Sequence, residues 1–224
     1  VSDDAVINTQ AAGAPTVTIT EDTSNDGLIS ISELSGTVDV EYTLPATAAA
    51  GDTLVITKPD GSTENVLLQA ADITAGKVSR SYTAPADGST VTTSAQLKDA
   101  AGNLGATGSD SAKLDLTTPN NNQALGLSIV LDANPDDGYI NAAEKGGATT
   151  TDLKATFTSA NVSAGDVITF TVTDPSGDVR TVTHTVTGPE VTANTAAVTI
   201  PANKLAENGS YSIAASTVDL AGNP

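Results

Sequence analysis

The chain has no cysteine and no tryptophan, and aromatic residues make up only 3% of its 224 positions. Without cysteine it can form neither a disulfide framework nor a thiolate metal site or nucleophile. Without tryptophan it lacks the aromatic walls expected around the sugar subsites of a glycosidase, and so few aromatics do not suit an aromatic binding platform. These absences exclude disulfide-stabilised folds and argue against a sugar-cleaving site.

Basic residues are also scarce, with 9 Lys and Arg against 27 Asp and Glu and a formal net charge of −18. Such a surface repels nucleic acid and anionic lipid, because both are recognised through clusters of Lys and Arg. It attracts cations, and acidic side chains crowded in loops oppose compaction unless a cation neutralises them. A divalent metal is therefore an expected partner, and nucleic acid is not.

Membrane-spanning segments and catalytic motifs are missing as well. No apolar run approaches the roughly 18 residues that span a bilayer, and the N-terminal residues lack the basic start and apolar core of an export signal. The one histidine, His184, stands in an alternating run flanked by threonines, which predicts a solvent-facing side chain. No Gly-x-Ser-x-Gly, His-Glu-x-x-His or phosphate-binding glycine loop is present. Neither membrane insertion nor enzymatic activity is predicted.

The chain does contain an acidic stretch of twelve residues, DTSNDGLISISE, from Asp22 to Glu33. Oxygen-bearing side chains occupy its first, third, fifth, ninth and twelfth places and glycine its sixth, which is the spacing of a calcium-binding loop. Alternation in residues 15–20 predicts that a strand leads into this loop, where an EF-hand would have a helix. The loop length and the final glutamate favour Ca²⁺ over Mg²⁺. The predicted ligands are the side chains of Asp22, Ser24, Asp26 and Glu33 and the carbonyl of Leu28.

A second acidic loop follows at a constant offset, since Asp137 and Glu144 each lie 111 positions after their counterparts (137 − 26 = 111; 144 − 33 = 111). At this offset the first ligand place falls on Ala133 and the third on Pro135, so Asp132, Asn134 and Asp136 have to compensate. A solvated turn without metal is the alternative for both loops, because Asp-Gly sequences are common in turns. The predicted ligands of the second loop are Asp132, Asp136, Asp137 and Glu144.

Short alternating segments separated by turn residues run through both halves of the chain. Seven such segments in about a hundred residues predict an all-β fold of two tandem immunoglobulin-like β-sandwich domains in a linear array. Helix is expected only as a turn or two at residues 69–75 and 201–207. The expected parts are a tail of a preceding repeat (1–10), repeat 1 (11–116), a linker stiffened by Pro119 (117–122) and repeat 2 (123–224), whose last strand is expected to be missing.

A second motif, Asp-x-Ala-Gly-Asn, closes the penultimate strand of each half, from Asp99 to Asn103 and from Asp219 to Asn223. Turn chemistry explains the glycine and the asparagine but not the repeated aspartate. In a sandwich of this kind the turn before the last strand lies at the end where the chain enters, and the acidic loop lies at the end where it leaves. Stacked head to tail, the domains would share a Ca²⁺ site formed by Asp22, Asp26, Glu33, Asp115, Asp219 and Asn223. Asp99 and Asn103, at the same places of the first turn, are predicted metal ligands as well.

Together with Ala-Gly-Asp at residues 50–52 and 164–166, the acidic loop and the Asp-x-Ala-Gly-Asn turn recur in the same order in both halves. In these three motifs the chain resembles the bacterial immunoglobulin-like extender repeats of large calcium-dependent adhesins, including RTX-type and biofilm-associated proteins. The resemblance implies an extracellular protein of the bacterial cell surface that acts in cell adhesion. It also implies a structural spacer that contacts neighbouring repeats of the same polypeptide, is rigidified by Ca²⁺ between modules, and projects a distal domain that binds a glycan or surface ligand.

Two other functions remain open at this stage. One is a Ca²⁺-dependent carbohydrate- or protein-binding module that uses end loops near Tyr139, the tyrosine beside the second acidic loop. The other is a pilin-like stalk cross-linked by Lys–Asn isopeptide bonds.

Overall fold

The computed structural model describes residues 5, 7–132, 137–148, 150–158, 161–201 and 209–224, without the side chain of residue 201. The chain divides into two compact parts, Val1–Leu116 (unit 1) and Thr117–Pro224 (unit 2). Each part has a hydrophobic core of its own. Both are built mainly from β-strands, which confirms the all-β sandwich class predicted from the alternating segments.

Unit 1 is a sandwich of two sheets with the strand orders β1-β3-β6 and β2-β8-β7-β4-β5. Neighbouring strands are antiparallel except β2 and β8, which run parallel. The strand β2 was not predicted and lies inside the first acidic loop. The elements are β1 (Thr16–Ile19), β2 (Leu28–Ile29), β3 (Thr37–Thr43), β4 (Thr53–Thr57), β5 (Thr63–Leu67), α1 (Ala70–Ala75), β6 (Lys77–Thr83), β7 (Thr90–Lys98) and β8 (Leu104–Leu114).

The core of unit 1 follows from the alternation in its strands. In β3, Val38, Val40 and Tyr42 are buried, as their period-two spacing predicts. The buried Tyr42 hydroxyl lies 2.8 Å from the Tyr82 hydroxyl and 2.7 Å from Thr93 Oγ1. These hydrogen bonds satisfy the phenol in the core and join the two sheets, because Tyr82 belongs to β6 and Thr93 to β7.

Two glycines of β8 allow the segment before β1 to pass close to the sheet. A Cβ atom at Gly105 would collide with the carbonyl oxygen of Ala12, and one at Gly108 with that of Pro15. The N–H of Ile19 in β1 donates to Asp110 Oδ2 at 2.8 Å. The chain that leads into unit 1 is therefore packed along β8.

Unit 2 repeats this arrangement with sheets of order β13-β10-β9 and β12-β11-β14, all antiparallel. Phe170, Ile168 and Leu153 lie at the centre of its core. In the described part of the chain β14 lies at a sheet edge, whereas β7 of unit 1 lies between β4 and β8. The elements are a 3₁₀ turn (Pro119–Asn122), β9 (Gly126–Ile129), α2 (Ala142–Lys145), β10 (Thr150–Thr156), β11 (Val167–Thr173), β12 (Val179–Thr185), α3 (Gly188–Ala193), β13 (Thr195–Pro201) and β14 (Ser212–Val218).

The positions of the helical turns agree only partly with those predicted from the sequence. α1 lies where residues 69–75 predicted it, but α2 and α3 were not predicted, and residues 202–207 lie outside the described residues. α3 begins with Gly188 and Pro189, which resemble a turn in sequence. It forms because Thr187 and Glu190 make a capping box and because proline is tolerated in a first helical turn.

The prediction that His184 faces solvent was wrong. Its neighbours Thr183 and Thr185 occupy the exposed face of β12, so His184 falls on the opposite, half-buried face. Its Nε2 atom lies 2.9 Å from each carboxylate oxygen of Glu190. The histidine therefore ties β12 to the start of α3.

No helix in the described residues is both long enough and apolar enough to cross a bilayer.

Candidate metal sites

The first acidic loop, between β1 and β3, is closed by Asp22. Its Oδ2 atom accepts from the N–H of Gly27 at 2.9 Å and its Oδ1 atom from the N–H of Asp26 at 3.0 Å. Gly27 has φ = 84°, a left-handed conformation that glycine adopts without strain. The first, fifth and sixth places of the predicted loop therefore form one ring of hydrogen bonds.

Glu33 closes the other end of the loop. Its Oε1 atom accepts from Thr23 Oγ1 at 2.8 Å and from the Ser24 N–H at 3.2 Å, and its Oε2 atom accepts from the N–H and Oγ of Ser30, both at 2.9 Å. Burial would raise the pKa of Glu33, but the donors of Ser30, Thr23 and Ser24 outweigh it and lower the pKa to about 2. Glu33 is therefore ionised at neutral pH and fixes the loop.

The remaining predicted ligands lie between these two carboxylates. Ser24 contacts both, since its Oγ donates to Asp22 Oδ1 at 3.4 Å and its N–H donates to Glu33. Asp26 Oδ1 accepts from the N–H of Leu28 at 2.9 Å. All five residues predicted from the first loop thus belong to one hydrogen-bonded structure.

The strand β2 attaches this loop to the C-terminal end of unit 1. Lys113 donates its N–H to the Gly27 carbonyl at 2.9 Å, and Asp115 donates its N–H to the Ile29 carbonyl at 3.0 Å. Asp115 therefore lies beside the first acidic loop. Asp87, which the sequence did not single out, reaches the same end and accepts from the Leu116 N–H at 2.7 Å. The only signal for it was the Asp-Gly turn that it begins.

The donor atoms of the first loop suit a hard divalent cation, because all of them are oxygens. A carboxylate has about four lone-pair sites, and those of Glu33 already accept four hydrogen bonds. Bidentate binding by Glu33 would displace the hydroxyls of Thr23 and Ser30, so the geometry favours Asp22 and Asp26 as ligands. Within the described residues, no three His, Cys, Asp or Glu side chains form a group able to hold a metal. A full shell therefore requires further oxygen ligands.

The second acidic loop is built around Asp132, which is buried. Its Oδ1 atom accepts from the Asp137 N–H at 3.2 Å and its Oδ2 atom from the Gly138 N–H at 3.0 Å. Asp132 thus makes the same two bonds as Asp22. In its hydrogen bonds Asp132, and not Ala133, is the counterpart of Asp22, because the second loop has one more residue between aspartate and glycine. Residues 133–136, including the predicted ligand Asp136, lie outside the described residues.

Glu144 is the counterpart of Glu33 in the second loop. Its Oε2 atom accepts from the Asn141 N–H at 2.9 Å and so caps α2. Its Oε1 atom is buried and has no hydrogen-bond partner in the described part of the chain. Tyr139, next to this loop, is 77% exposed and donates its N–H to Asp137 Oδ1.

Both Asp-x-Ala-Gly-Asn turns are locked by a two-point contact between their first and last residues. The backbone N–H and side-chain amide of Asn103 donate to the two carboxylate oxygens of Asp99 at 2.8 and 2.9 Å. Asn223 makes the same bonds to Asp219 at 2.8 and 3.0 Å. The hydrogen bond from the Asn103 side chain is the main reason that the pKa of Asp99 is lowered. The repeated aspartate thus has a structural role in each turn.

In unit 1 the Ala-Gly-Asp motif is hydrogen-bonded to the Asp99 turn. Asp52 is buried and accepts from the Ala49 N–H at 2.9 Å and from the Ala100 N–H at 3.2 Å, so it joins its own turn to the Asp99 turn. Asp166, its counterpart in unit 2, is also buried and accepts from the Ser163 N–H at 2.8 Å. The sequence showed the repetition of this motif but not its role.

The segment that precedes β1 meets the Asp99 turn through Asn8. The Asn8 side-chain amide donates to Asp99 Oδ2 at 3.0 Å, and the Asn103 side-chain amide donates to the Asn8 carbonyl at 3.0 Å. The register of β7 with β8 pairs Thr90 with Lys113 at one end and Lys98 with Leu104 at the other. Within unit 1 the Asp99 turn and the acidic loop therefore lie at opposite ends.

Comparison with known proteins gives matches among solved structures only. No protein-family model and no curated protein matches the chain. The chain is similar to a Ca²⁺-stabilized adhesin with which an Antarctic bacterium binds ice (27% identity, TM-score 0.42, 96% of this chain and 47% of the other). It is also similar to a 1.5-MDa bacterial ice-binding adhesin, with 22% identity and a TM-score of 0.39 over 96% of this chain and 62% of the other. A third match is a tetra-tandem repeat from the extending region of a large adhesion protein, with 22% identity and a TM-score of 0.30 over 93% of this chain and 50% of the other.

All three are adhesins or adhesion-protein repeats, the kind of protein that the sequence motifs resemble. The chain spans between 47% and 62% of the length of each of them. All three TM-scores lie below 0.5.

Proposed function

We propose that this chain is a structural spacer of a bacterial cell-surface adhesin, stiffened by Ca²⁺ at the junction between its two units. The observation that carries the proposal is the contact of Asn8 with the Asp99 turn. It defines how a segment entering a unit meets the Asp-x-Ala-Gly-Asn turn of that unit.

The segment that enters unit 2 has a carboxylate where the segment that enters unit 1 has an amide. Residues 2–7, SDDAVI, correspond in sequence to residues 109–114, SDSAKL, so Asp115 corresponds to Asn8. In unit 1 the amide of Asn8 donates to Asp99 Oδ2. The same arrangement in unit 2 would place Asp115 beside Asp219, and two adjacent carboxylates repel each other. A divalent cation between them would remove the repulsion and replace the amide as the link.

Other oxygen ligands are available for this cation. Asp115 is held beside the first acidic loop by its bond to Ile29, so the carboxylates of Asp22 and Asp26 are on the same end of unit 1. On the side of unit 2, Asn223 carries an amide oxygen next to Asp219. Together with water these groups suit the six to eight oxygen ligands that Ca²⁺ takes.

The expected strength of such a site is modest. Extracellular calcium modules have dissociation constants of about 10⁻⁴ to 10⁻³ M. At ten times that concentration one site stabilises the bound form by about 1.4 kcal/mol, which favours one junction geometry roughly tenfold. This is enough to stiffen a joint without being needed for folding.

A spacer role also agrees with how the chain uses its polar side chains. The buried Asp52 and Asp166 accept backbone N–H groups, and His184 is paired with Glu190. These groups stabilise turns and strand ends and are not gathered around a cleft. We therefore propose a non-enzymatic, extracellular protein whose partners are neighbouring repeats, with any glycan or surface ligand bound by a distal domain.

The proposal can be tested by distance measurements between the units. The chain lacks cysteine, so Thr63→Cys in unit 1 and Thr181→Cys in unit 2 can each carry one spin label. In wild type we expect a narrow distance distribution with Ca²⁺ and a broad one with EDTA. Asp115→Asn should restore the amide contact seen at Asn8 and give a narrow distribution in both conditions.

The matched control is Asp60→Asn, a carboxylate in the turn between β4 and β5, which should behave as wild type. A wild-type distribution that Ca²⁺ does not change would overturn the junction role. An Asp115→Asn variant that keeps the full Ca²⁺ response would show that Asp115 is not a ligand.

A second function, a Ca²⁺-dependent glycan-binding module, is favoured by one observation, the exposed ring of Tyr139 beside the second acidic loop. Glycan binding that requires Ca²⁺ and is lost in Tyr139→Ala would establish it. A glycan array without any signal at millimolar Ca²⁺ would leave the spacer as the function of this region.

A further inference from the structure

We infer that the segment between the units is locked onto unit 2 by Asn120 without any metal, so that only residues 117–119 separate two fixed points of the chain. This goes beyond the proposed role of Ca²⁺, because it concerns the stiffness that remains after the cation is removed. It also changes the predicted linker of residues 117–122, whose second half becomes part of unit 2.

The lock consists of three hydrogen bonds made by one buried side chain. Asn120 is 2% exposed. Its Oδ1 atom accepts from the N–H and Oγ of Thr158 at 2.9 and 3.0 Å, and its Nδ2 atom donates to the Gln123 carbonyl at 2.8 Å. Thr158 lies two residues after the end of β10, so the asparagine ties the segment to the end of a strand of the unit 2 core. None of these bonds involves a charged group or a cation.

The backbone conformation of the segment depends on this lock. Asn120, Asn121 and Asn122 all have positive φ, at 53°, 53° and 58°. Non-glycine residues rarely adopt this region, and three in succession persist only when surrounding contacts hold them. The Asn120 bonds supply such contacts, and Asn161 adds another by donating its side-chain amide to Asn121 Oδ1 at 2.6 Å.

The preceding residues are fixed in the same way on unit 1. Leu116 donates its N–H to Asp87 Oδ1, and Asp115 donates its own to Ile29. Three residues lie between Leu116 and Asn120. One of them, Pro119, has a restricted φ and biases the residue before it towards an extended backbone. Thr118 has this extended conformation, with φ = −89° and ψ = 144°. Few backbone torsions are left to vary the junction.

The test compares Asn120→Gly with Asn122→Gly in the presence of EDTA. Both substitutions allow positive φ and remove an asparagine side chain, but only the first removes the bonds to Thr158. We expect backbone order parameters from ¹⁵N relaxation at residues 120–123 to stay near 0.85 in wild type and in Asn122→Gly, and to fall below about 0.6 in Asn120→Gly. The distance distribution between the two spin labels should broaden further only in Asn120→Gly.

Two outcomes would overturn the inference. One is a wild-type segment with order parameters below about 0.6 in EDTA, and the other is an identical response of the two glycine variants. Thr158→Val covers the case in which Asn120→Gly unfolds unit 2, since it removes only the hydroxyl bond and should lower the order parameters of the segment to an intermediate value. Unchanged amide shifts in β11 would show that unit 2 is still folded. Because every measurement is made without Ca²⁺, failure of the proposed junction site would not affect the result.

Discussion

Individual carboxylates in this acidic chain have distinct structural duties. Glu33 accepts four hydrogen bonds within a surface loop, whereas Asp52 is buried and joins two turns that are distant in sequence. Both carboxyl groups accept hydrogen bonds from N–H or O–H donors, and bonds to an ionised carboxylate such as that of Glu33 are stronger than neutral ones. The surplus of acidic residues is therefore partly explained by turn architecture and does not by itself indicate metal.

Glu33 should make the stability of unit 1 depend on acid. Its pKa in the folded chain is about 2, below the ordinary value of 4.5. The ionised carboxylate therefore stabilises the folded state fully above about pH 4.5, and this contribution is lost as the pH falls towards 2. Glu33→Gln should lower the urea midpoint of unit 1 at pH 7. It should also make the urea midpoint fall less steeply as the pH is lowered from 4.5 to 2. Unfolding of unit 1 is measured in EDTA from the NMR signals of its core residues. An unchanged decline in the variant would assign the acid sensitivity to other groups.

Asp52 should be important for stability although it lies outside the predicted metal ligands. Asp52→Asn removes the charge and leaves only one acceptor oxygen for the N–H groups of Ala49 and Ala100. We expect a loss of about 1–3 kcal/mol in the unfolding free energy of unit 1, measured by urea unfolding with NMR detection. Asp60→Asn, in an exposed turn where the Asp60 carboxylate accepts from the N–H and Oγ of Ser62, should lower the midpoint much less. Equal midpoints for the two variants would contradict the role given to Asp52.

At the scale of the elements, β8 is central to unit 1. It pairs with β7 on one side and with the short β2 on the other, and its glycines admit the segment that precedes β1. The same strand thus positions the incoming chain, the first acidic loop and Asp115. This explains why an eleven-residue strand contains two glycines, which otherwise weaken strands.

Gly108→Ala should disturb this packing. The added methyl group would collide with the Pro15 carbonyl, and crowding of this kind costs about 1–3 kcal/mol. We expect a lower urea midpoint for unit 1 and faster amide hydrogen exchange at Ile19. The control Gly147→Ala, where a methyl group meets nothing within 4 Å, should leave its own unit unaffected. Similar midpoints for Gly108→Ala and wild type would show that the segment can move aside without cost.

For the whole molecule, the separate cores of the two units predict that each unit folds without the proposed cation. Among the described residues each hydrophobic core is built from apolar side chains, so each unit should remain folded after chelation. We expect the far-UV circular dichroism spectrum and the urea midpoints to change little with EDTA, while the spin-label distances between the units broaden. Loss of β-structure on chelation would instead make the cation a folding cofactor.

The sequence alone determined the features that depend on local chemistry. Alternating residues located most strands and core positions such as Val38, Val40 and Tyr42, because a strand exposes its two faces by strict alternation. Turn residues and motif repetition likewise indicated two similar domains. These properties are encoded by residues that are close together in the chain.

The tertiary structure decided which groups meet across long separations. Asp52 bonds to a residue 48 positions away, Asn8 to one 91 positions away, and Asn120 to one 38 positions away. The sequence predicted Asp132 as a substitute for Ala133, but only the structure shows that Asp132 accepts the same two N–H groups as Asp22. Nor could the sequence show His184 beside Glu190, since that contact depends on which face of β12 packs against α3. Residues far apart in sequence form these hydrogen bonds only when packing of the two sheets brings them together. Local residue patterns do not determine that packing.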